Sequence, residues 1–252
     1  MADHLVFPLA MSGSPHPGAQ APPVPPTTPV YDVFAWLCFL AGRTSRIRLG
    51  TNVYLLALRH PFAAARAVQT LDIVSQGRAE IGVGAGWLRE EWSAAGLDPR
   101  TRGRRLDEAL AVCQRLWSEP VVEHHGEFYD FAPVAFEPKP VQKPWPRIHV
   151  GGESAAALRR AARHDGWIGL VDTPDAAREQ VARLGVLRRQ AGREGMRFEV
   201  TLGAPDCTPQ ELARWEEAGV DRLVLWPWQR SRDCIEALRR SADRLRRWLL
   251  AG

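Results

Sequence analysis

Three glycines lie two residues apart in the segment RAEIGVGAGWLREEW, residues 78–92. Glycine weakens a strand, because it has no side chain to pack and loses much backbone entropy. In one extended strand, period two would place Gly82, Gly84 and Gly86 on the same face. A flat ring could occupy the gap beside this bare backbone; the alternatives are close approach of another backbone or a bulge. The dinucleotide fingerprint G-x-G-x-x-G is not met.

A second glycine pair follows an apolar run in HVGGES, residues 149–154. The N–H groups and the dipole at the start of a helix favour anions, and Ser154 is placed to cap the helix that follows. We therefore predict a phosphate site here, with an ordinary strand–helix turn as the alternative. A ring slot and a phosphate site at the ends of strands together indicate a flavin-type nucleotide.

The remaining polar residues do not suggest a catalytic set of their own. His124 and His125 are adjacent, so they would point to opposite faces of a strand and make a poor metal pair. No convincing Ser-His-Asp series or Glu-x-x-His helix is present, and no metal site is predicted. His60, before Pro61, is interpreted as the residue that begins a helix, with a position lining the pocket as the alternative. The chemistry is therefore expected to come from a cofactor.

The elements that would position these groups alternate regularly along the chain. Apolar runs, each followed by a helical stretch, begin near Ile47, Ala79, Arg147, Gly166, Arg197 and Asp221. Such a series predicts a parallel sheet, because parallel neighbours need crossover connections. A doubly wound sheet also fits, but the regularity favours an α/β fold of the (β/α)8 TIM-type barrel class. Residues 118–146 predict an inserted hairpin around Gly126, and residues 12–29 a proline-rich loop.

Composition narrows the class of partner. The 33 Lys and Arg residues nearly balance the 29 Asp and Glu residues and are spread along the chain, so no nucleic acid is expected as a partner. The longest apolar stretch is too short to span a membrane. The four cysteines include no C-x-x-C pair and are typical of reduced thiols. We therefore expect a cytoplasmic protein with no membrane partner.

Several stretches, in the right order, resemble the bacterial luciferase-like flavin and deazaflavin oxidoreductases. They are TSRIRLGTNVYLLALRHPFAAARAVQTLDIVSQGRAEIGVGAGWLREEW, RGRRLDEALAVCQRLW, GEFYDF, PKPVQ and IHVGGESAAALRRAARHDGWIGL. The resemblance covers most of residues 31–170 closely and the later units by pattern. It is strongest to the branch that uses coenzyme F420, and reduced FMN with molecular oxygen is the alternative.

The resemblance implies roles for particular residues. Asn52 and Val53 match a bulge with a non-proline cis peptide that supports the ring of the cofactor. The cofactor-lining strand end and the phosphate loop correspond to Gly84, Ala85, Gly86, Trp87, Gly151, Gly152, Glu153 and Ser154. Asp3 and His4 resemble an Asp-His pair at the end of the second strand, where the histidine acts as proton donor beside the ring. Both are therefore predicted to be catalytic.

The resemblance also implies the extent of the fold and the activity. If Asp3 and His4 end the second strand, the first strand, the first helix and most of the second strand would precede Met1. We therefore expect a barrel that is incomplete at its N-terminus, forming a single domain over residues 1–252. The implied activity is F420-dependent hydride transfer to or from a small organic substrate, in a chain that pairs as a homodimer. The alternatives are an FMNH2-dependent monooxygenase and a non-catalytic, cofactor-binding or decayed barrel.

Overall fold

The computed structural model describes residues 2–15, 19, 22–204 and 206–249. These residues form two compact units, which divide after Gly151. The described part of the predicted loop at 12–29 contains neither helix nor strand, and residues 16–18, 20 and 21 of that loop lie outside the described residues. Among the described helices, none combines the length and the apolar character needed to cross a membrane. The single domain over 1–252 stays a prediction.

The first unit alternates strands with helices and contains one hairpin. Its helices are α1 (Val33–Arg43), α2 (Pro61–Val74), α3 (Arg89–Ala94) and α4 (Arg102–Ser118), with short 3-10 helices at Leu56–Leu58 and Pro99–Thr101. Its strands are β1 (Leu49–Gly50), β2 (Ala79–Val83), β3 (Val121–His125), β4 (Asp130–Ala135) and β5 (Arg147–Gly151). His60 begins α2 as predicted, because its Nδ1 atom accepts a hydrogen bond from the N–H of Phe62.

Strand β2 is the centre of the parallel pairing in the first unit. It pairs with β1 on one side and with β5 on the other, and both pairs are parallel. All five residues of β2 are buried, as expected for a parallel strand that is covered on both faces. The strand ends at Val83, opposite Tyr54. The expectation that Gly82, Gly84 and Gly86 share one strand is therefore wrong for Gly84 and Gly86, which follow its end.

The predicted hairpin within residues 118–146 is confirmed. Strands β3 and β4 pair antiparallel, and the N–H of Gly126 donates to the carbonyl of Tyr129 at 2.9 Å in the turn between them. Glu108 on α4 accepts hydrogen bonds from the N–H groups of Phe128 and Tyr129. The hairpin is thus attached to the preceding helix through a carboxylate.

The second unit repeats the same strand–helix pattern. Its elements are α5 (Ala155–Ala161), β6 (Gly166–Ile168), α6 (Pro174–Gln190), β7 (Glu199–Ala204), α7 (Pro209–Glu217), β8 (Arg222–Leu225), a 3-10 helix at Ser231–Asp233, and α8 (Cys234–Leu249). Strand β7 pairs in parallel with β6 and with β8. The described residues thus contain three parallel strands in each unit, which confirms the predicted α/β class.

Candidate functional site

Asp3 is bound firmly to the first unit. Its carboxylate is buried and accepts two hydrogen bonds from the Arg59 guanidinium, at 2.7 and 2.8 Å. The N–H of Leu55 donates a third hydrogen bond to the same carboxylate at 2.9 Å. A bidentate arginine–carboxylate pair fixes both position and orientation. This geometry indicates that Asp3 anchors the segment that carries His4, whereas its predicted catalytic role stays a prediction.

The ring of His4 lies next to this anchor, in contact with α3 and with two aromatic side chains. Its Nδ1 atom is 2.9 Å from a carboxylate oxygen of Glu91, and 17% of the side chain is exposed. The ring centroid lies 4.5 Å from that of Phe7 and 6.1 Å from that of Trp87, which meets it edge-on. The other ring nitrogen, Nε2, makes no hydrogen bond to the described residues, so it is the atom able to exchange a proton with a ligand.

Sequence reasoning misses Glu91, the buried partner of His4. One oxygen of Glu91 accepts hydrogen bonds from the N–H groups of Leu5 and Val6, at 2.6 and 3.4 Å, while the other oxygen faces His4. Only 1% of Glu91 is exposed. The neighbouring Glu90 instead accepts a hydrogen bond from the hydroxyl of Ser12 at the surface. Nothing in the sequence favours Glu91 over Glu90, because the partners of both residues lie about 80 positions away.

The expected gap beside Gly84 is filled by a side chain. A Cβ atom built on Gly84 would lie 2.6 Å from Cγ2 of Val53, and a Cβ atom on Gly151 would lie 2.6 Å from Cγ1 of the same residue. The prediction of an open ring slot directly against Gly84 is therefore wrong. The two glycines instead admit Val53 between the ends of the neighbouring strands β2 and β5, and part of Val53 remains exposed. The Asn52–Val53 peptide bond is cis, as the resemblance implies.

Gly86 has a different reason to be glycine. Its φ angle is +74°, in the left-handed region that side chains disfavour. A Cβ atom there would also lie 3.2 Å from Cδ2 of Leu55 and 3.2 Å from Nε1 of Trp92. The turn leaves Ala85 and Trp87 partly exposed. Because Leu55 also binds Asp3, the structure brings the glycine-rich turn and the Asp3–His4 segment together.

Three residues of the predicted phosphate loop, Gly152, Glu153 and Ser154, begin the second unit. The fourth, Gly151, is the last residue of the first unit. Gly152 has a φ angle of +117°; its N–H donates to Ile168 at 3.1 Å, and its carbonyl accepts from the indole N–H of Trp167 at 2.9 Å. The hydroxyl of Ser154 caps α5 by accepting from the N–H of Ala157.

Glu153 carries the one carboxylate of this loop. It accepts a hydrogen bond from the N–H of Leu170 at 2.6 Å, and burial raises the pKa of its carboxyl. The first N–H groups of a helix have no acceptor within it. The loop therefore offers donors at the start of α5, which has only seven residues. Whether these donors bind a phosphate stays a prediction.

Comparison with protein families gives one match that covers most of the chain. A family model described as luciferase-like monooxygenase matches residues 14–247. The uncharacterized protein Rv0940c of Mycobacterium tuberculosis is 34% identical over 198 residues, which are 78% of this chain and 68% of that protein. The matched region includes every predicted site residue except Asp3 and His4.

Two relatives with assigned activities differ in their cofactor. An F420-dependent glucose-6-phosphate dehydrogenase of Kineococcus radiotolerans is 37% identical over 137 residues, 53% of this chain and 40% of that protein. An FMNH2-dependent dimethylsulfone monooxygenase of Pseudomonas putida is 36% identical over 110 residues, 42% of this chain and 30% of that protein. Relatives thus include proteins named for each of the two cofactors.

Solved structures agree on the fold. The monooxygenase RslO1 of Streptomyces bottropensis matches with a TM-score of 0.60 and 29% identity, over 83% of this chain and 63% of that one. An F420-dependent secondary alcohol dehydrogenase matches with a TM-score of 0.69 at 16% identity, over 89% of this chain and 82% of that one. This likeness confirms the predicted (β/α)8 barrel class.

Proposed function

Because the chain belongs to the luciferase-like monooxygenase family, a family of oxidoreductases, we propose that it uses coenzyme F420 to transfer a hydride to or from a small organic substrate. The observation that carries this proposal is the position of His4. Its ring contacts Trp87, at the end of the glycine-rich turn, and its Nε2 atom is available to a ligand. A histidine beside a redox ring is suited to proton transfer that accompanies hydride transfer.

The residues of the first unit fit a planar ring. The side chain of Val53 lies against Gly84 and Gly151, where any Cβ atom would displace it. Its exposed part and the half-exposed Trp87 offer apolar surface to an aromatic ring. We infer that Asn52, Val53, Ala85, Gly86 and Trp87 would hold the ring side of the cofactor.

The loop of the second unit fits an anionic group. At Gly152 a Cβ atom would lie 3.1 Å from Cβ of Ala157, so a side chain there would crowd the first turn of α5. We infer that Glu153 and Ser154 would hold the phosphate through their backbone N–H groups, beside Gly152, whose own N–H donates to the carbonyl of Ile168. When bound, F420 supplies the ring carbon that gives or accepts the hydride. His4 would bind the substrate oxygen and exchange a proton at Nε2.

FMN is the second candidate cofactor. It is favoured by the identity of 36% to the FMNH2-dependent relative. In that case the reduced ring would activate oxygen, and His4 would serve the proton transfers of an oxygenation. The substrate stays a small organic molecule in either case. We also propose that the chain forms a homodimer, which size-exclusion chromatography with light scattering tests.

A titration of intrinsic fluorescence with each cofactor tests the proposal. We expect oxidised F420 to quench tryptophan fluorescence saturably and FMN to bind more weakly. A Trp87→Phe variant should show a smaller quench, because Trp87 lies among the ring-side residues. Trp36, an exposed residue on α1, gives the matched control. The saturable decrease in fluorescence on adding cofactor should be as large in Trp36→Phe as in the wild type.

Two outcomes would contradict the titration's expected result. Tight saturable binding of FMN without binding of F420 would replace the first candidate by the second. No saturable response to either cofactor, from a chain with a native circular dichroism spectrum, would favour the non-catalytic barrel.

A further inference from the structure

The carboxylate of Glu91 joins the backbone of the N-terminal segment to the ring of His4. Backbone N–H groups can only donate, so the oxygen that faces Leu5 and Val6 acts as an acceptor. The second oxygen lies 2.9 Å from Nδ1 of His4. A single proton therefore lies between these two atoms, and its position determines which ring nitrogen of His4 can accept a proton from a ligand.

An ionised carboxylate accepts at both oxygens and never donates. With Glu91 ionised, Nδ1 must carry the hydrogen, and in the neutral ring Nε2 is then the acceptor. Two backbone N–H groups donate to one oxygen of this carboxylate, at 2.6 and 3.4 Å, which leaves the other oxygen to face Nδ1 of His4. The ring is also flanked by Phe7 at 4.5 Å. Rotation that would exchange the two nitrogens is thereby opposed.

We propose that Glu91 is a positioning residue that holds neutral His4 in the tautomer with hydrogen on Nδ1. Nε2 is then presented as a proton acceptor, and the hydrogen that a bound substrate exchanges is the one added at Nε2. The tautomer is a property of the protein alone, whereas the role of Nε2 toward a substrate rests on the proposed function. The chemistry selects a substrate with a hydroxyl group, whose proton Nε2 accepts, or the corresponding carbonyl, to which protonated His4 donates.

The substitution Glu91→Gln separates positioning from anchoring. The amide oxygen of glutamine can still accept from the N–H groups of Leu5 and Val6. Its NH2 group then faces Nδ1 of His4 and can only donate. We therefore expect the variant to keep the fold and the position of the segment but to reverse the tautomer, so that Nε2 carries the hydrogen. The matched control is Glu90→Gln, because the Glu90 carboxylate binds Ser12 and not His4.

The test is heteronuclear NMR of the histidine ring nitrogens in the full chain, without cofactor, at a pH where His4 is neutral. Signals of His4 are assigned by their loss in His4→Gln. We expect a protonated Nδ1 and an unprotonated Nε2 in the wild type and in Glu90→Gln, and the reverse in Glu91→Gln. A wild-type ring with hydrogen on Nε2 would overturn the proposal without any variant. So would an unchanged tautomer in Glu91→Gln with a native circular dichroism spectrum.

The cofactor titration is independent of this measurement. A correct tautomer with no binding of F420 or FMN would leave the role of Glu91 standing and contradict the proposed function. Saturable cofactor binding by a chain whose His4 carries hydrogen on Nε2 would support the proposed function and contradict the role of Glu91.

Discussion

The substitution Gly84→Ala should destabilise the first unit by overpacking. The new Cβ atom would lie 2.6 Å from Cγ2 of Val53, about 1 Å closer than an ordinary van der Waals contact between carbon atoms. Val53 is held on its other side by Gly151, so it cannot move away freely. The backbone of Gly84 is outside the left-handed region, so the cost comes from packing alone. Overpacking of this kind costs about 1–3 kcal/mol.

A double-mutant cycle isolates this contact. Val53→Ala removes the Cγ atoms and leaves Cβ, which lies 3.5 Å from the position of the new atom, an ordinary contact. The double variant should therefore be about as stable as Val53→Ala alone, which gives a coupling energy of about 1–3 kcal/mol. Gly42→Ala is the control: nothing lies within 4 Å of its Cβ position in α1, so a gain of up to about 1 kcal/mol is expected.

The assay is urea unfolding followed by circular dichroism. With an m-value of about 2 kcal/mol per M, the loss corresponds to a midpoint lower by about 0.5–1.5 M urea. A Gly84→Ala variant as stable as the wild type would refute the assignment of Gly84 as the space for Val53. If the double variant loses as much unfolding free energy as the two single variants together, the contact itself is refuted.

Three further predictions concern anchors, pH and capping. Arg59→Ala leaves the buried carboxylate of Asp3 without its charged partner and should lower the free energy of unfolding by at most about 3–5 kcal/mol, because the loss cannot exceed the free energy of opening the Asp3–His4 segment. Burial lowers the pKa of His164 to about 4, so on acidification the unfolded state binds the proton before the folded state does. The free energy of unfolding should therefore fall between about pH 6.5 and pH 4. In a pH series of unfolding free energies, His164→Gln should flatten that part. Thr208→Ala removes the cap of α7, where Thr208 accepts from the N–H of Glu211, and should lower the free energy of unfolding by about 1 kcal/mol.

An exposed position supplies a control for these predictions. Arg100→Ala breaks a solvent-exposed ion pair with Asp98 and should leave the urea midpoint unchanged. An Arg59→Ala variant with the same urea midpoint as Arg100→Ala would contradict the anchoring role of the Asp3–Arg59 pair. A pH series that is as steep in His164→Gln as in the wild type would contradict the role of that histidine.

The fold was predictable because its signals are local. Apolar runs, turn residues and helix caps repeat along the chain, and the family resemblance adds their order. The hairpin around Gly126 and the cap at His60 follow from residues a few positions apart. The end of β2 was placed too late, because period two continues through Gly84 and Gly86 in the sequence while the ladder stops at Val83.

The contacts of the site were less predictable because they are non-local. Glycines at positions 84 and 151 indicate that another group approaches the backbone closely. Period and spacing in the sequence do not distinguish a ligand from a side chain as that group. The side chain is Val53, which is distant in sequence from both. Glu91 likewise differs from Glu90 only in its distant partners, and Arg59 is recognised as an anchor only once Asp3 is seen beside it.

The way His4 is held has a consequence for the stability of the site. Leu5 and Val6 are 40% and 47% exposed, so hydrophobic burial contributes little to docking of this segment. Its position depends instead on the buried carboxylates of Asp3 and Glu91, which bind charged and backbone donors. Such a segment can open locally at lower free energy than the buried strands unfold. The geometry of His4 is therefore set by two carboxylates rather than by the core, and loss of either one would affect the site before it affects the fold.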